Sequence, residues 1–251
     1  MAIAIRKPSE ITSLKSANVI VAETLALLQK NIKPGMTLNE IDKMGEEYIR
    51  SRGARPSFKG LYNFPASVCT SLNEVIIHGI PSDYKVVEGD ILGIDIGTEL
   101  KGWYGDSAIT LPIGKISAED EKLISCAKDS LYHAIDIIHA GMRFKELSAE
   151  IEKFIVGRGY VPLRGYCGHG IGRKPHEEPS ILNYVEGKAN QGPKIKNGMV
   201  FCLEPMICQK EGESDLLEDR WSVVSKDNLR GSHYEHTVAI IDGKAEILSK
   251  I

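Results

Sequence analysis

An α+β fold made of two pseudo-symmetric halves is what this 251-residue sequence predicts. Two observations carry the prediction. Helical periodicity in the first fifty or so residues gives way to alternating, β-rich segments. A helix with its flanks then recurs later in the chain, preceded again by another helix.

The first helix has Ser9 as its candidate cap and an apolar stripe at Leu14, Ala17, Val21, Leu25 and Leu28, with Pro34-Gly35 ending it. The second opens on a capping box, Thr37 with Glu40, buries Leu38, Ile41, Met44 and Tyr48, and stops at Gly53. Residues 35–56, "GMTLNEIDKMGEEYIRSRGARP", align with residues 141–162, "GMRFKELSAEIEKFIVGRGYVP", at a constant offset of 106. Gly35/Gly141, Met36/Met142, Glu40/Glu146, Ile49/Ile155, Arg52/Arg158, Gly53/Gly159 and Pro56/Pro162 are identical pairs. Ser117 to Ala140 reads as the counterpart of the first helix. No Pro/Gly-rich linker separates the copies, so the chain is expected to form one catalytic-size domain, 1–251, with halves of roughly 1–113 and 114–251.

The repeat continues into strands. "VEGDILGID" (87–95) lies over "IKNGMVFCLE" (195–204) with Gly89 on Gly198, which sets Asp95 opposite Glu204. "YGDSAI" (104–109) lies less closely over "YEHTVA" (234–239) and sets Asp106 opposite Glu235. Each half thus offers two acids from apolar strand context. A buried carboxylate costs several kcal/mol unless it is paired or binds a metal. Four such acids brought together by a twofold would repel until some took up protons. Two divalent cations remove that conflict.

Composition excludes other classes. Lys and Arg total 31 against 34 Asp and Glu, a net charge of -3, with no basic stripe, so the nucleic-acid footprint is missing. Five cysteines without a C-x-x-C pair argue against a disulfide framework or a zinc knot. The start, "MAIAIRKPSE", lacks a signal-peptide apolar region and no run of about 18 apolar residues is seen, so the expectation is a cytoplasmic protein with no membrane partner.

"GHGIGRKPHEEP" (168–179) places His169 between two glycines, with His176 seven residues on. The glycines do not follow a phosphate-loop spacing, and a lone histidine in such a stretch is more often a turn residue. With four carboxylates to join, His169 becomes the expected nitrogen ligand of an otherwise oxygen site. His78 ends the apolar run "NEVIIHGIP"; alone it reads as a strand-end histidine. Strand alternation puts His233 on the face of Glu235 and His236 on the other. His133 and His139 read as surface or packing residues of the third helix, and Glu177 and Glu178 as solvent-facing or capping acids. A thiol-protease role for Cys69 or Cys167 lacks the flanking context it requires.

Asp95, Asp106, His169, Glu204 and Glu235, with "NEVIIHGIP", "GHGIGRKPHEEP", "FCLEPMI" and "YEHT" around them, resemble the bacterial type I methionine aminopeptidases along essentially the whole chain. The resemblance implies the pita-bread fold, an antiparallel sheet flanked by paired helices, and removal of the initiator methionine from nascent polypeptides with a small second residue. It implies that Asp106 and Glu235 bridge two divalent metals, that Asp95 chelates one, and that His169 and Glu204 complete the other. Their bound water, acidified toward neutrality, would attack the scissile carbonyl. By the same resemblance Glu204 is also the general base and acid, His176 bonds the developing oxyanion, and His78 contacts the scissile amide nitrogen. Phe58, Leu61, Phe64, Cys69 and Trp221 match the methionine pocket, while Leu61, Tyr62, Pro175 and Gly93 depart from the commonest family pattern.

Four carboxylates and one imidazole form a hard donor set, which leaves Mn, Fe(II), Co and Zn open. No zinc-finger extension or large helical insertion appears, so the short form is expected, acting as a monomer, with ribosome association left open. An aminopeptidase P or prolidase type would share the five ligands but usually carries an extra N-terminal domain. A binding protein on the same scaffold would typically have lost ligands, and none is lost here.

Overall fold

Pro8 has a preset φ and no N–H to satisfy, so it opens helix α1 (Pro8–Asn31) at its first position. Lys7 is therefore the cap and Glu10 reaches back to its amide at 2.8 Å, while Ser9, the expected cap, sits inside the first turn. The computed structural model describes residues 2–250. Leu14, Ala17, Val21, Leu25 and Leu28 form the buried face of α1, as their spacing predicts. By length and composition α1 is apolar enough to cross a membrane, which the sequence reading did not anticipate. Its apolar stripe is packed on the sheet instead, where the Thr98 hydroxyl donates to the Ala17 carbonyl at 3.0 Å.

Helix α2 (Leu38–Ser51) carries the predicted capping box: the Thr37 amide donates to Glu40 at 2.8 Å and the Glu40 amide to Thr37 Oγ1 at 3.1 Å. The Asp42 carboxylate accepts the amides of Ser67 and Val68, both at 2.8 Å, and so starts the strand that follows. In the second half α3 (Ala118–Ile137) is capped by Ser117 and α4 (Phe144–Gly157) starts 106 residues after α2. His139 lies just beyond α3 rather than on it, and His133 stacks on Phe154 at 4.8 Å. The repeat extends to the backbone: Gly35 and Gly141 share φ of 94° and 100°, and Gly89 and Gly198 share 98° and 84°. Left-handed φ of this kind favours glycine, which is why these pairs survive in both halves.

The strands are short except for one hairpin. In chain order they are β1 (Arg55–Pro56), β2 (Val68–Leu72), β3 (Val75–Ile77), β4 (Ile91–Leu100), β5 (Trp103–Pro112), β6 (Val161–Pro162), β7 (Cys167–Gly170) and β8 (Glu177–Leu182). They continue as β9 (Val200–Leu203), β10 (Met206–Cys208), β11 (Ser214–Leu216), β12 (Val223–Ser225), β13 (Ser232–His233), β14 (His236–Ile241) and β15 (Lys244–Ile247). Lys101 and Gly102, both at positive φ, form the two-residue turn that lets β4 and β5 pair over ten residues.

β4 is flanked by β1, β2 and β5; a second sheet runs β15-β14-β9-β7-β8; and β11-β12-β3 and β13-β10-β6 form two smaller ones. Every pairing is antiparallel. One apolar core lies between α1, α2 and the β2/β4/β5 face, and another between α3, α4 and the β9/β14 face. The two halves meet where β5 runs beside the segment leading into β14. There the Glu235 amide donates to the Ala108 carbonyl at 2.8 Å.

Candidate metal centre

Register alone brings the predicted ligands together. Residues directly opposite in an antiparallel pair share a face, and so do residues two apart on one strand. Cys69 of β2 pairs with Asp95 of β4, and Asp95 with Ala108 of β5. Ala108 faces Glu235 across the joint, and one further step of the β9/β14 register sets Glu235 against Glu204. The second row runs alongside: Gly97 opposite Asp106, then Thr237, whose hydroxyl donates to the Asp106 carbonyl at 2.8 Å. Thr237 pairs with Cys202, and the next register step places Cys202 against His169 of β7. Five strand segments thus aim four acids and one imidazole into one spot.

The resulting environment is hostile to bare carboxylates. Asp106 and Glu235 are 4% and 3% exposed. Asp95 Oδ1, Asp106 Oδ1, Glu204 Oε1 and Glu235 Oε1 are buried and have no hydrogen-bond partner. Burial first, then the mutual repulsion of Asp106, Glu204, Glu235 and Asp95, pushes the Asp106, Glu204 and Glu235 carboxyls far above the usual range. Asp95 is raised by burial to about 7, held down in part by a hydrogen bond with Asp106. Four orphaned acids in one cluster fit divalent cations and little else.

His169 is prepared as a ligand. Its Nδ1 lies 3.0 Å from the Gly170 carbonyl, which can only accept. The proton therefore sits on Nδ1 and Nε2, 3.5 Å from Glu204 Oε1, presents its lone pair. Burial lowers its pKa to about 3, so it is neutral.

Asp106, His169, Cys202 and Glu235 each bring a donor atom within 4.8 Å of the others. Cys202 was not expected in the cluster, although its place two residues before Glu204 gives it the same face. Its thiol is 3.4 Å from Thr237 Oγ1, and burial, then Glu235 and Asp106, raise its pKa well above the ordinary value. It stays protonated beside the oxygen ligands.

A cavity of 470 Å³ opens above the cluster. Phe58, Leu61, Phe64, Cys69 and Trp221, the five residues matched to a side-chain pocket, all line it, with Phe64 edge-on to Trp221 at 5.1 Å. So do Asp95, Asp106, His169, Glu204, Glu235, His78 and His176. His78 follows β3 at φ 59°, edge-on to Tyr166 at 5.7 Å and to Trp221 at 6.3 Å. Burial, then His176, lowers its pKa to about 4. His176 stands at the rim, edge-on to His169 at 4.4 Å and parallel to Tyr62 at 6.1 Å.

His233 does lie near the cluster, its Nε2 3.8 Å from Glu204, whereas His236 turns away to Ser249 at 2.9 Å and Tyr132 at 3.2 Å. Ile77, Tyr166 and Cys167 also line the cavity without having been anticipated, since no sequence signal distinguishes them from core residues. Glu177 takes the capping role rather than the solvent-facing one of the two expected for it. It is ion-paired to Arg6 and caps the amides of Arg173 and Lys174 at 2.8 and 3.2 Å.

Comparison with known proteins agrees with this geometry. Residues 12–242 match the model of metallopeptidase family M24. The chain is 62% identical to a methionine aminopeptidase of Helicobacter pylori strain J99 over the full length of both, and 40% identical to methionine aminopeptidase 1 of Bacillus subtilis, covering 98% of each. The crystal structure of the Thermotoga maritima methionine aminopeptidase superposes with a TM-score of 0.96 at 35% identity, covering both chains fully. The prolidase of Pyrococcus furiosus shares the fold, with a TM-score of 0.80 at 24% identity over 98% of this chain and 65% of that one. With its cluster of four acids and a histidine on a twofold pair of sheets, the chain belongs to metallopeptidase family M24.

Proposed function

We propose that this protein is a metal-dependent aminopeptidase that removes the N-terminal methionine from nascent polypeptides and peptides whose second residue is small. The observation that carries the reading is that the four acids and His169 line one 470 Å³ cavity together with the apolar group Phe58, Leu61, Phe64, Cys69 and Trp221. Asp95, Asp106, His169, Glu204 and Glu235 would hold two divalent ions, with Mn, Fe(II), Co and Zn all compatible with the donor set. When bound, such ions supply a water acidified toward neutral pH and polarise the scissile carbonyl.

The chain's own groups do the rest. Phe58, Leu61, Phe64, Cys69 and Trp221 enclose the methionine side chain and exclude water from it. The Glu204 carboxyl, its Oε1 without a hydrogen-bond partner, takes the proton from the attacking water and returns it to the leaving amine. His176, at the rim, donates to the oxygen that gains charge, and neutral His78 holds the scissile amide nitrogen. Five free cysteines and the absence of any disulfide among the described residues suit the cytosol, where nascent chains occur. The two halves act as one catalytic domain, since the ligands come from both.

The test is to strip the protein with a chelator, restore each metal in turn, and follow methionine release from Met-Ala-Ser beside hydrolysis of an Xaa-Pro dipeptide. Release that vanishes and returns with metal, without Xaa-Pro cleavage, is the expected outcome. Full turnover by stripped protein, or preference for the Xaa-Pro peptide, overturns the reading.

A further inference from the structure

Arg6 lies far from the ligands in sequence, in the extended segment before α1, yet it reaches the stretch that carries His176. Its amide donates to the Gly198 carbonyl at 2.7 Å, which fixes where the side chain starts. The guanidinium then crosses Gly172. A Cβ at that position would stand 2.0 Å from Arg6 Nη2 and 2.6 Å from Cζ, so any other residue there displaces the guanidinium. Beyond it the guanidinium pairs with Glu177 Oε2, in a bridge whose side chains are 11% and 17% exposed. Glu177 Oε1, the other carboxylate oxygen, accepts the amides of Arg173 and Lys174. One carboxylate thereby ties both ends of the 172–177 loop to the N-terminal segment, and His176 is the residue next to it. Trp103 adds a floor, with Arg173 Cζ 3.8 Å and Arg6 Cζ 5.7 Å from its ring.

We propose that Arg6 is a positioning residue for His176: through Glu177 it holds the 172–177 loop so that the imidazole meets the reacting carbonyl. The role rests on the aminopeptidase reading above. Arg6 touches neither substrate nor ligand; it acts by geometry. A fork-shaped guanidinium suits this task, because it fixes the orientation of a carboxylate rather than its position alone. Misplacement of a reacting group by about an ångström is enough to cost roughly 100-fold in rate.

Four variants, Arg6→Met, Arg6→Ala, Arg6→Lys and Gly172→Ala, test this in the metal-loaded full chain. Gly172→Ala expels the guanidinium without altering either partner of the ion pair. The expected result is a kcat for Met-Ala-Ser lowered about 10- to 100-fold in Arg6→Met and Gly172→Ala, with KM and metal stoichiometry unchanged. Arg6→Lys should fall between, and hydrogen exchange of the Arg173 and Lys174 amides should quicken in step. Added guanidinium at a non-denaturing concentration should restore part of the kcat of Arg6→Ala, a rescue that a general loss of folding would not show. Unchanged kcat in Arg6→Met and Gly172→Ala, or loss of kcat only in proportion to unfolded protein, overturns the role of Arg6 alone. Absence of methionine release by the loaded wild type overturns the aminopeptidase reading and this role with it.

Discussion

Ala108 and Glu235 exchange both of their backbone hydrogen bonds across the joint between the two halves, Glu235 N–H to Ala108 O at 2.8 Å and Ala108 N–H to Glu235 O at 3.4 Å. That one residue pair aligns the first half's acids with the second half's. Asp95 is opposite Ala108 on the other side, and Asp106 is two residues along the same strand. The acid cluster is therefore a property of the joint, and its energetics follow from four acids facing one another there.

The metal-free protein should lose stability as pH rises. Asp95, Asp106, Glu204 and Glu235 all have folded pKa values above their unfolded ones, near 4. Between those values the folded state holds protons that the unfolded chain has released, so folding weakens with increasing pH. For Asp95 the window runs from about 4 to about 7, and for the other three it likewise opens upward from about 4. Buried, neutral His78 and His169 act in the opposite sense at low pH. The check is therefore the gap in melting temperature between chelated Asp106→Asn and chelated wild type, which should widen from pH 5 to pH 8. A gap that narrows would contradict it.

Asp106→Asn separates binding from folding. Removing one charge from the cluster relieves repulsion, so the chelated variant should melt above chelated wild type at pH 8. The rise in melting temperature on adding Mn should shrink, and activity should fall roughly 1,000-fold at any metal concentration. Calorimetry with and without Mn, together with a peptide assay, reads all three.

Gly97→Ala should disturb the pocket and spare the ligands. A Cβ there would lie 2.1 Å from Ser57 Oγ and 2.4 Å from the Phe58 ring, and Phe58 lines the cavity. Overpacking of this kind costs about 1–3 kcal/mol. A raised KM with unchanged metal content is expected; a changed metal content with normal KM would contradict a role confined to the pocket.

Trp221→Ala removes one wall of the cavity and the edge-on partner of Phe64. Loss of that apolar contact should lower kcat/KM for methionine substrates by roughly 10- to 200-fold, mostly through KM. Steady-state kinetics on Met-Ala-Ser decide it.

His78 holds φ 59°, a region that asparagine tolerates and β-branched residues resist. His78→Asn should fold like wild type and turn over slowly. His78→Val should be less stable by about 1–2 kcal/mol as well. Equal melting temperatures for the two variants would remove backbone strain from the account.

The helices and the repeat were legible in the sequence because their causes are local. Thr37 and Glu40 cap α2 within four residues, the α1 stripe follows helical spacing, and left-handed glycines recur in both halves. The clustering of acids was legible too, since carboxylates in apolar surroundings such as Asp95 in β4 and Glu204 just after β9 require a partner.

Contacts between residues distant in the chain decided the remainder. Pro8 overrode Ser9 as the start of α1 through its own backbone geometry. Cys202 and Thr237 entered the ligand grid only once β9, β14 and β7 had a register, and Arg6 found Glu177 across 171 residues of chain. Periodicity and capping act over a few residues and are written in any short window. Strand register and ion pairing across the joint depend on how distant segments pack, and no short window holds that information.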